Sequence, residues 1–537
     1  MKKLPIGIQN IREILEENQV YVDKTGFAKE LIETGKHYFM SRPRRFGKSL
    51  FLNTLEEILK GNKELFQICQ IYTSNYYWES YLTLRFDFSQ IASHTSKEFD
   101  GSMKRALIEK AELHALLIET PTIQEGLKAL ITQLYNKNGI KVVVLVDEYD
   151  HAIINRLNNL ETAQGNRDIL KDFFTTLKSL DEYLKFTFVT GVSKFSQVSL
   201  FSGPNNLTDI TMDPRYAGMM GYTEEELRKC FSKHIETISK RRAQEGKNVT
   251  EETVLAEMRE WYNGYRFSRK PISVYNPYST LRFLSLGKAE SYWYSTGTPS
   301  FLIDEVKKHP KSIASVSGIS ALQSTLSDIS KLDRIHLAAL MFQTGYLTIQ
   351  DYNPEEDSYK LGFPNREVKQ AFFNSLLQEF TEIEPLEVSR TAEQVRKDLE
   401  NFDLQSFIDT MNIHFAKIPY HLFTHAKEGF YQTVFFTFLE KSGFKTSAEI
   451  ATNIGRIDLI SETPKVVYLF ELKLDKSSDS AFDQVEGKKY KERYLKNGKE
   501  IMVLGINFSS ISHNISEWKG ALFSSSGELM QEFLPKK

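Results

Sequence analysis

Three short stretches set chemically active side chains at informative intervals. The first, SRPRRFGKSL (41–50), ends in Gly47-Lys48-Ser49, the close of a phosphate-binding loop. Such a loop works through backbone N–H groups that wrap phosphates, a lysine that neutralises charge and a hydroxyl that reaches magnesium. Gly47 lets the backbone approach closely, and Lys48 and Ser49 supply the charge and the hydroxyl. The pattern wants another glycine five positions before Gly47, and Arg42 stands there instead, with Arg44 and Arg45 adding charge. That first glycine only opens the loop. The plain alternative is a basic turn before a helix. The second stretch, VVVLVDEYD (142–150), decides between them. An acid at the end of a buried strand sits where open α/β sheets bind ligands. Asp147 would hold magnesium, usually through water, and Glu148 would polarise the attacking water. Thr190 and Ser193 follow another strand, where a γ-phosphate sensor would lie. Arg45, Phe46, Gly47, Lys48, Ser49, Leu50, Asp147 and Ser193 are therefore the expected nucleotide-binding set. Ser49 and Asp147 are its magnesium ligands, and Glu148 is its catalytic residue.

The third stretch lies near the other end of the chain. GRIDLIS (455–461) and VVYLFELKL (466–474) read as strands joined by the turn ETPK, a hairpin. Alternation puts Glu471 and Lys473 on one face and Leu472 and Leu474 on the other. Pairing across the turn brings Asp458 toward Glu471. Two carboxylates and a lysine then converge, a donor set suited to magnesium or manganese. A metal there would activate water against a phosphodiester, and Lys473 would orient the water or support the phosphate. A charged solvent face of a hairpin is the structural alternative. His421 and His425 stand four apart, but no matching third ligand accompanies them, so packing or surface roles are expected.

These residues need elements to position them. HYFMS (37–41) reads as a buried strand entering the basic loop, and 49–61 as the helix leaving it. Strand patterns recur at 83–89, 141–150 and 184–196, alternating with helical ones, which argues for a parallel α/β sheet. Region 222–300 turns helical and aromatic, and Thr223 with Glu226 forms a capping-box signature. Region 301–404 is mostly helical. From 405 a helix (429–443) precedes the hairpin, followed by a helical segment (479–495) and a last strand (501–508).

The bulk properties fit. The 537 residues are 41% hydrophobic and 26% charged, ordinary for a globular protein of three to four domains. Two cysteines, Cys69 and Cys230, give no disulfide framework and suit a reducing compartment. No signal peptide opens the chain and no apolar run reaches membrane-spanning length, so a cytoplasmic location is expected. A net charge of −2 does not announce a nucleic-acid binder. The basic run KKYKERYLKNGK (488–499) is read as a solvated helix face, and the aromatic pairs Trp261-Tyr262 and Trp293-Tyr294 as core.

YVDKT (21–25), RPRRFGKSL (42–50), VDEYD (146–150), TGVSKFS (190–196), NNLTDIT (205–211), WYNGY (261–265) and YNPYS (275–279) together resemble the bacterial AAA-ATPase-like family fused to a PD-(D/E)xK nuclease domain. The resemblance spans nearly the whole chain. It implies that the arginine-rich loop is a family form rather than damage. GRID…ELK and AFDQVEGKKY (481–490) resemble the nuclease core and its trailing helix. By that resemblance Glu428 joins Asp458 and Glu471 as a metal-site carboxylate, and Gln484 and Tyr490 support them. Catalysis falls to Asp458, Glu471 and Lys473.

The expectation is an α/β protein. It has a P-loop NTPase domain with a parallel sheet (1–221), a helical and aromatic extension (222–300), a helical connecting region (301–404) and an α/β restriction-endonuclease-like domain (405–537). It would bind and hydrolyse ATP with Mg2+ and control a nuclease using Mg2+ or Mn2+ on nucleic acid, DNA ahead of RNA. Defence against foreign nucleic acid follows only by fold-level analogy. Homo-oligomers are open to it, and Arg215 and Arg266 are candidate arginine fingers. The rivals are a nucleotide-switched nucleic-acid-binding or assembly protein, and a nuclease whose N-terminal site binds without hydrolysing.

Overall fold

A computed structural model describes the chain except residues 196–206, 247–248, 294–301, 303–318, 327–328, 330–335, 382, 424–427, 452–455, 488–489, 496–497 and 536–537. His425 and the side chain of His421 lie outside the described residues, as do Tyr294, Ser196 and Asn205-Asn206. Two compact units emerge, Met1–Phe301 with Ser320–Val368, and Leu302–Ile319 with Lys369–Lys537. Residues 301–404 therefore contribute to both.

The first unit is built on five parallel strands in the order β2-β3-β4-β1-β5. They are β1 (His37–Ser41), β2 (Leu82–Asp87), β3 (Val142–Asp147), β4 (Leu184–Gly191) and β5 (Thr208–Asp209). Every residue of β3 is buried, as a valine-rich apolar run covered on both faces requires. The helices Lys48–Leu59, Ser96–Leu113, Ile123–Asn138 and Leu160–Ser179 make the crossovers. Parallel strands all point one way, so the loops after β1, β3 and β4 meet at one edge. The helix Glu224–Gln244 begins with the expected reciprocal cap of Thr223 and Glu226. It packs in an apolar cluster with Glu251–Tyr262 and Pro277–Leu286. The region after 300 holds more than helices. A small antiparallel sheet, β6-β8-β7, is formed by β6 (Ser320–Leu322), β7 (Thr348–Asn353) and β8 (Ser358–Gly362). Its strands are short and irregular, with a register shift between Ile349 and Asp351, so their alternation is hard to see in sequence.

The second unit contains a six-stranded sheet, β14-β13-β12-β11-β10-β9. The strands are β9 (Lys445–Ala451), β10 (Arg456–Glu462), β11 (Val466–Leu474), β12 (Glu500–Phe508), β13 (Ile515–Phe523) and β14 (Leu529–Phe533). β10 and β11 form the expected antiparallel hairpin, and β11 pairs parallel with the central β12. The helix Glu428–Lys441 is buried from Gly429 to Glu440, consistent with its all-round apolar sequence. The segment expected as one helix over 479–495 divides into Ser478–Gly487 and a 3-10 turn, Tyr490–Tyr494. The break comes where Tyr490 turns into the core and Lys491 lies over the Phe523 ring, 4.0 Å from its centroid.

Candidate functional sites

The loop after β1 is held rigidly from several directions. Gly47 has φ +89° and caps the helix Lys48–Leu59, a left-handed conformation that favours glycine. Arg45 also has positive φ, at 67°. Phe46 is buried, edge-on to Tyr265 and Phe267 at 4.7 and 5.5 Å between centroids. The Trp293 indole N–H donates to the Arg44 carbonyl at 3.0 Å. Arg42 is fully inside. Its Nη1 donates to the carbonyls of Ser41 (2.9 Å) and Thr211 (2.7 Å), and its guanidinium lies 4.3 Å from the Phe267 centroid. Arg42 thus clamps the loop to the neighbouring chain. Burial pushes its guanidinium down to about 9 against the opposing pull of Asp209.

Lys48 is buried, and its Nζ donates to the carbonyls of Arg42 and Pro43, each at 3.0 Å. Burial pushes this ammonium down, while Glu148, Asp147 and Asp150 pull it back up. Asp147 is buried at the tip of β3. It accepts from Thr190 Oγ1 (2.8 Å) and from the Glu148 N–H (3.1 Å), with Arg85 Nη2 at 3.5 Å. Glu148 has φ 48°, which turns its side chain out of the strand. His151 Nδ1 lies 3.4 Å from its carboxylate, and contact with His151, then the Lys48 charge, holds the carboxyl below its ordinary range despite burial.

A cavity of about 420 Å³ opens over this edge. Arg45, Gly47, Lys48, Ser49, Leu50 and Glu148 all line it. Phe46, Asp147 and Ser193 do not: Phe46 is a buried anchor, and Asp147 is buried at the tip of β3. Ser193 is fully buried, and its N–H donates to Asp150 at 2.6 Å. Asp150 positions this turn, a role its residue type does not signal in the sequence. Its carboxylate takes the N–H groups of both Val192 and Ser193, fixing the turn after β4. Arg85 is hidden in the same way, because a lone arginine in an alternating strand carries no signal. Arg215 is exposed and paired with Asp213 at 2.7 Å, and Arg266 spends its guanidinium on backbone carbonyls, among them Ser268 at 3.0 Å. Neither lines the cavity.

In the second unit the hairpin brings three expected residues together. The β10–β11 register pairs Leu459 with Phe470, so Asp458 comes opposite Glu471 just beyond the last pair. Asp458 Oδ2 accepts the Leu472 N–H at 2.8 Å. Glu471 is completely buried. Its Oε1 accepts from Lys473 Nζ (2.8 Å) and from Gln484, while its Oε2 has no partner. Burial, then the negative charge of Asp458, pushes the Glu471 carboxyl up to about 7. Glu471, Asp458 and Glu428 together hold Lys473 above its ordinary value against desolvation. Gln432, on the helix that Glu428 begins, reaches the Asp458 carbonyl at 3.3 Å. Tyr490 is buried in the sheet's core cluster.

A buried carboxylate oxygen without a hydrogen bond, facing a second acid, fits a divalent cation. The fit is that of a two-carboxylate site. Among the described residues, no three His, Cys, Asp or Glu side chains cluster to hold a metal, so Glu428 does not close on the other two.

Family comparisons agree with both halves. A family model described as "Predicted AAA-ATPase" matches residues 5–201, and the PD-(D/E)XK nuclease superfamily model matches 426–518. The chain belongs to the AAA-ATPase-like proteins that carry a C-terminal PD-(D/E)XK nuclease domain. It is 35% identical over 523 residues to "Uncharacterized protein in vnfD 5'region" of Azotobacter chroococcum mcd 1, covering 96% of this chain and 98% of that one. An ATPase-like domain and a nuclease domain generally imply nucleotide, divalent metal and nucleic acid. No helix among the described residues is long and apolar enough to cross a membrane.

Proposed function

We propose that this protein binds and hydrolyses ATP and that its nucleotide state controls cleavage of nucleic-acid phosphodiesters, DNA ahead of RNA. The observation that carries the nuclease half is Glu471, buried, with one oxygen held by Lys473 and Gln484 and the other unpartnered opposite Asp458. Asp458 and Glu471 would hold Mg2+ or Mn2+, with Glu428 moving in as a third acid. The ion would supply Lewis acidity and an activated water. Lys473, kept protonated by the surrounding acids, would orient that water or neutralise the phosphate.

At the other site, Lys48 would exchange its carbonyl partners for phosphate oxygens, which a cation favours more strongly. Gly47, Ser49 and Leu50 would present backbone N–H groups at a helix N-terminus. Ser49 and, through water, Asp147 are the residues that would hold Mg2+, and Thr190 orients Asp147. Glu148, kept ionised, would align the attacking water. Ser193 would act through the backbone of its turn. A role in defence against foreign nucleic acid suits this pairing.

A second reading, a nucleotide-switched nucleic-acid-binding or assembly protein, is favoured by the lack of a three-ligand metal cluster among the described residues. One experiment separates them. Wild type, Lys48→Ala and Asp458→Ala are assayed on single-stranded and duplex DNA and RNA with Mg2+ or Mn2+, with and without ATP. Cleavage lost in Asp458→Ala and insensitive to ATP in Lys48→Ala is the expected result. Binding without cleavage in wild type would favour the second reading.

A further inference from the structure

Beyond Asp147 the chain turns inward and then comes back. Tyr149 and Asp150 are buried, with the Tyr149 N–H on the Thr190 carbonyl (3.0 Å) and the Asp150 carboxylate on the Ser193 N–H (2.6 Å). Glu148 before them and His151 after them are half-buried, and both line the cavity. The His151 N–H donates to the Glu148 carbonyl (3.0 Å), closing a turn that returns the imidazole to the carboxylate. The short helix that His151 begins, His151–Ile154, is fixed from behind. Ala152, Ile153 and Ile154 are buried, and the Ala152 carbonyl accepts from Asn166 Nδ2 (2.8 Å), on the helix Leu160–Ser179.

Asn155 ends this helix and also lines the cavity. Its Nδ2 lies 2.9 Å from His151 Nε2. An amide nitrogen only donates, so Nε2 accepts, and the neutral ring carries its proton on Nδ1. Nδ1 lies 3.4 Å from Glu148 Oε2. A chain of polar groups therefore runs from Asn155 through the imidazole to the carboxylate. Glu148 itself sits at φ 48°, a backbone conformation that a non-glycine residue keeps only where its surroundings over-determine it. The backbone fixes where that side chain leaves the strand, but its rotatable bonds still need a stop, and the imidazole supplies one. Aligning a water demands such a stop, since a misplacement of about 1 Å can cost about 10²-fold in rate.

We propose that His151, oriented by Asn155, is a positioning residue for ATP hydrolysis: its Nδ1–H holds the Glu148 carboxylate where it aligns the attacking water. This role rests on the hydrolysis reading above. It predicts an effect on turnover and none on binding, and an effect that passes through Glu148.

The test uses the full chain with Mg2+, calorimetry for ATP binding and phosphate release for turnover. His151→Ala should bind ATP as wild type does and lower kcat about tenfold, the scale of one hydrogen bond to a charged group. His151→Asn, which puts an amide N–H near the place of Nδ1–H, should recover most of the lost rate. Asn155→Ala, a change of an exposed side chain, should lower kcat by less than His151→Ala. In a Glu148→Gln background, His151→Ala should cost nothing further, because residues that act as a unit are not additive. If His151→Ala unfolds, His151→Asn and Asn155→Ala carry the decision, and full loss of rate in the first or none in the second overturns the role. His151→Ala turning over ATP as fast as wild type or faster overturns it, as does weaker ATP binding at unchanged kcat. A further loss in the Glu148→Gln background shows that His151 acts elsewhere and overturns it too. All of these leave hydrolysis itself standing. A wild type that binds ATP and never turns it over overturns the hydrolysis reading, and the role of His151 with it.

Discussion

Replacing Arg42 with glycine restores the residue that the general loop pattern wants, and it should damage this protein. Arg42 Nη1 makes two hydrogen bonds to carbonyls, of Ser41 and Thr211. Hydrogen bonds from a charged donor contribute about 1.5–3 kcal/mol each. The guanidinium over Phe267 adds about 2 kcal/mol when desolvated. Against this, the charge is buried, its Nε and Nη2 have no partner, and desolvating an ion costs several kcal/mol. The substitution removes the charge as well as its bonds, so much of the two sides offsets. What survives is two stranded carbonyls, a side-chain-sized void and a more flexible chain, together about 2–4 kcal/mol of destabilisation. Arg42→Met keeps most of the volume without the charge but strands the same two carbonyls, so it should cost about 1–2 kcal/mol, less than the glycine change. Urea unfolding gives the two values, and hydrogen exchange of the 37–41 strand localises the loss. ATP affinity should fall in Arg42→Gly because Lys48 and the loop carbonyls lose their frame. A glycine variant as stable as wild type and tighter for ATP would refute the reasoning and mark Arg42 as a degraded loop position.

Three further outcomes follow from the same geometry. Glu148→Gln should bind ATP normally and turn it over about 10²-fold more slowly, since the amide cannot polarise water as the carboxylate does; calorimetry beside a phosphate-release assay reads both. Lys473→Ala should lower metal-dependent cleavage about 10²-fold while Asp458→Ala abolishes it, and equal cleavage by both variants and wild type would point to another site. Glu367 is buried, accepts from Ser279 and from the Trp293 N–H, and is pushed up to about 7 by burial. A raised carboxyl binds its proton more tightly in the folded state, so its stabilisation is complete below about 4.5 and is lost as pH rises through about 7. Glu367→Gln should remove about 3 kcal/mol of that pH dependence, measured by urea unfolding between pH 5 and 8.

The strands that carry the sites were legible because their patterns are extreme. Val142–Val146 is an unbroken apolar run, β-branched at every position but Leu145, and the β10–β11 hairpin has clean edges and a polar turn. Backbone pairing then does the rest, since period-two alternation alone carries Glu471 and Lys473 to the same face. Three kinds of feature stayed hidden. β9, β13 and β14 include exposed or edge positions with mixed sequence, so no apolar period marks them. The β6-β8-β7 sheet depends on a bulge between β7 and β8 and, for β6, on a partner far along the chain. The roles of Arg42 and Asp150 depend on which carbonyl or N–H group the fold brings to them, and residue type does not encode that. Burial and its two carbonyl partners make Arg42 a structural tie.

Arg42 and Glu471 also show why an unpaired buried polar atom needs its surroundings before it is read as a ligand site. Both carry such atoms, and both are almost wholly buried. The free nitrogens of Arg42 share a pocket with an aromatic ring, and its two bonded carbonyls already account for the side chain's position. Nothing about that environment calls for a further group. Glu471 is different. Its unpaired oxygen belongs to an acid facing another acid, an arrangement that raises its pKa and so disfavours the charged state unless a cation arrives. Lys473 relieves the repulsion from one side only, through Oε1. A folded protein that kept this cluster for stability alone would do better with an apolar residue at 471, deep in a core strand. The electrostatic cost at Glu471 therefore argues for a bound divalent cation as the missing partner, and the same argument gives Arg42 no ligand at all.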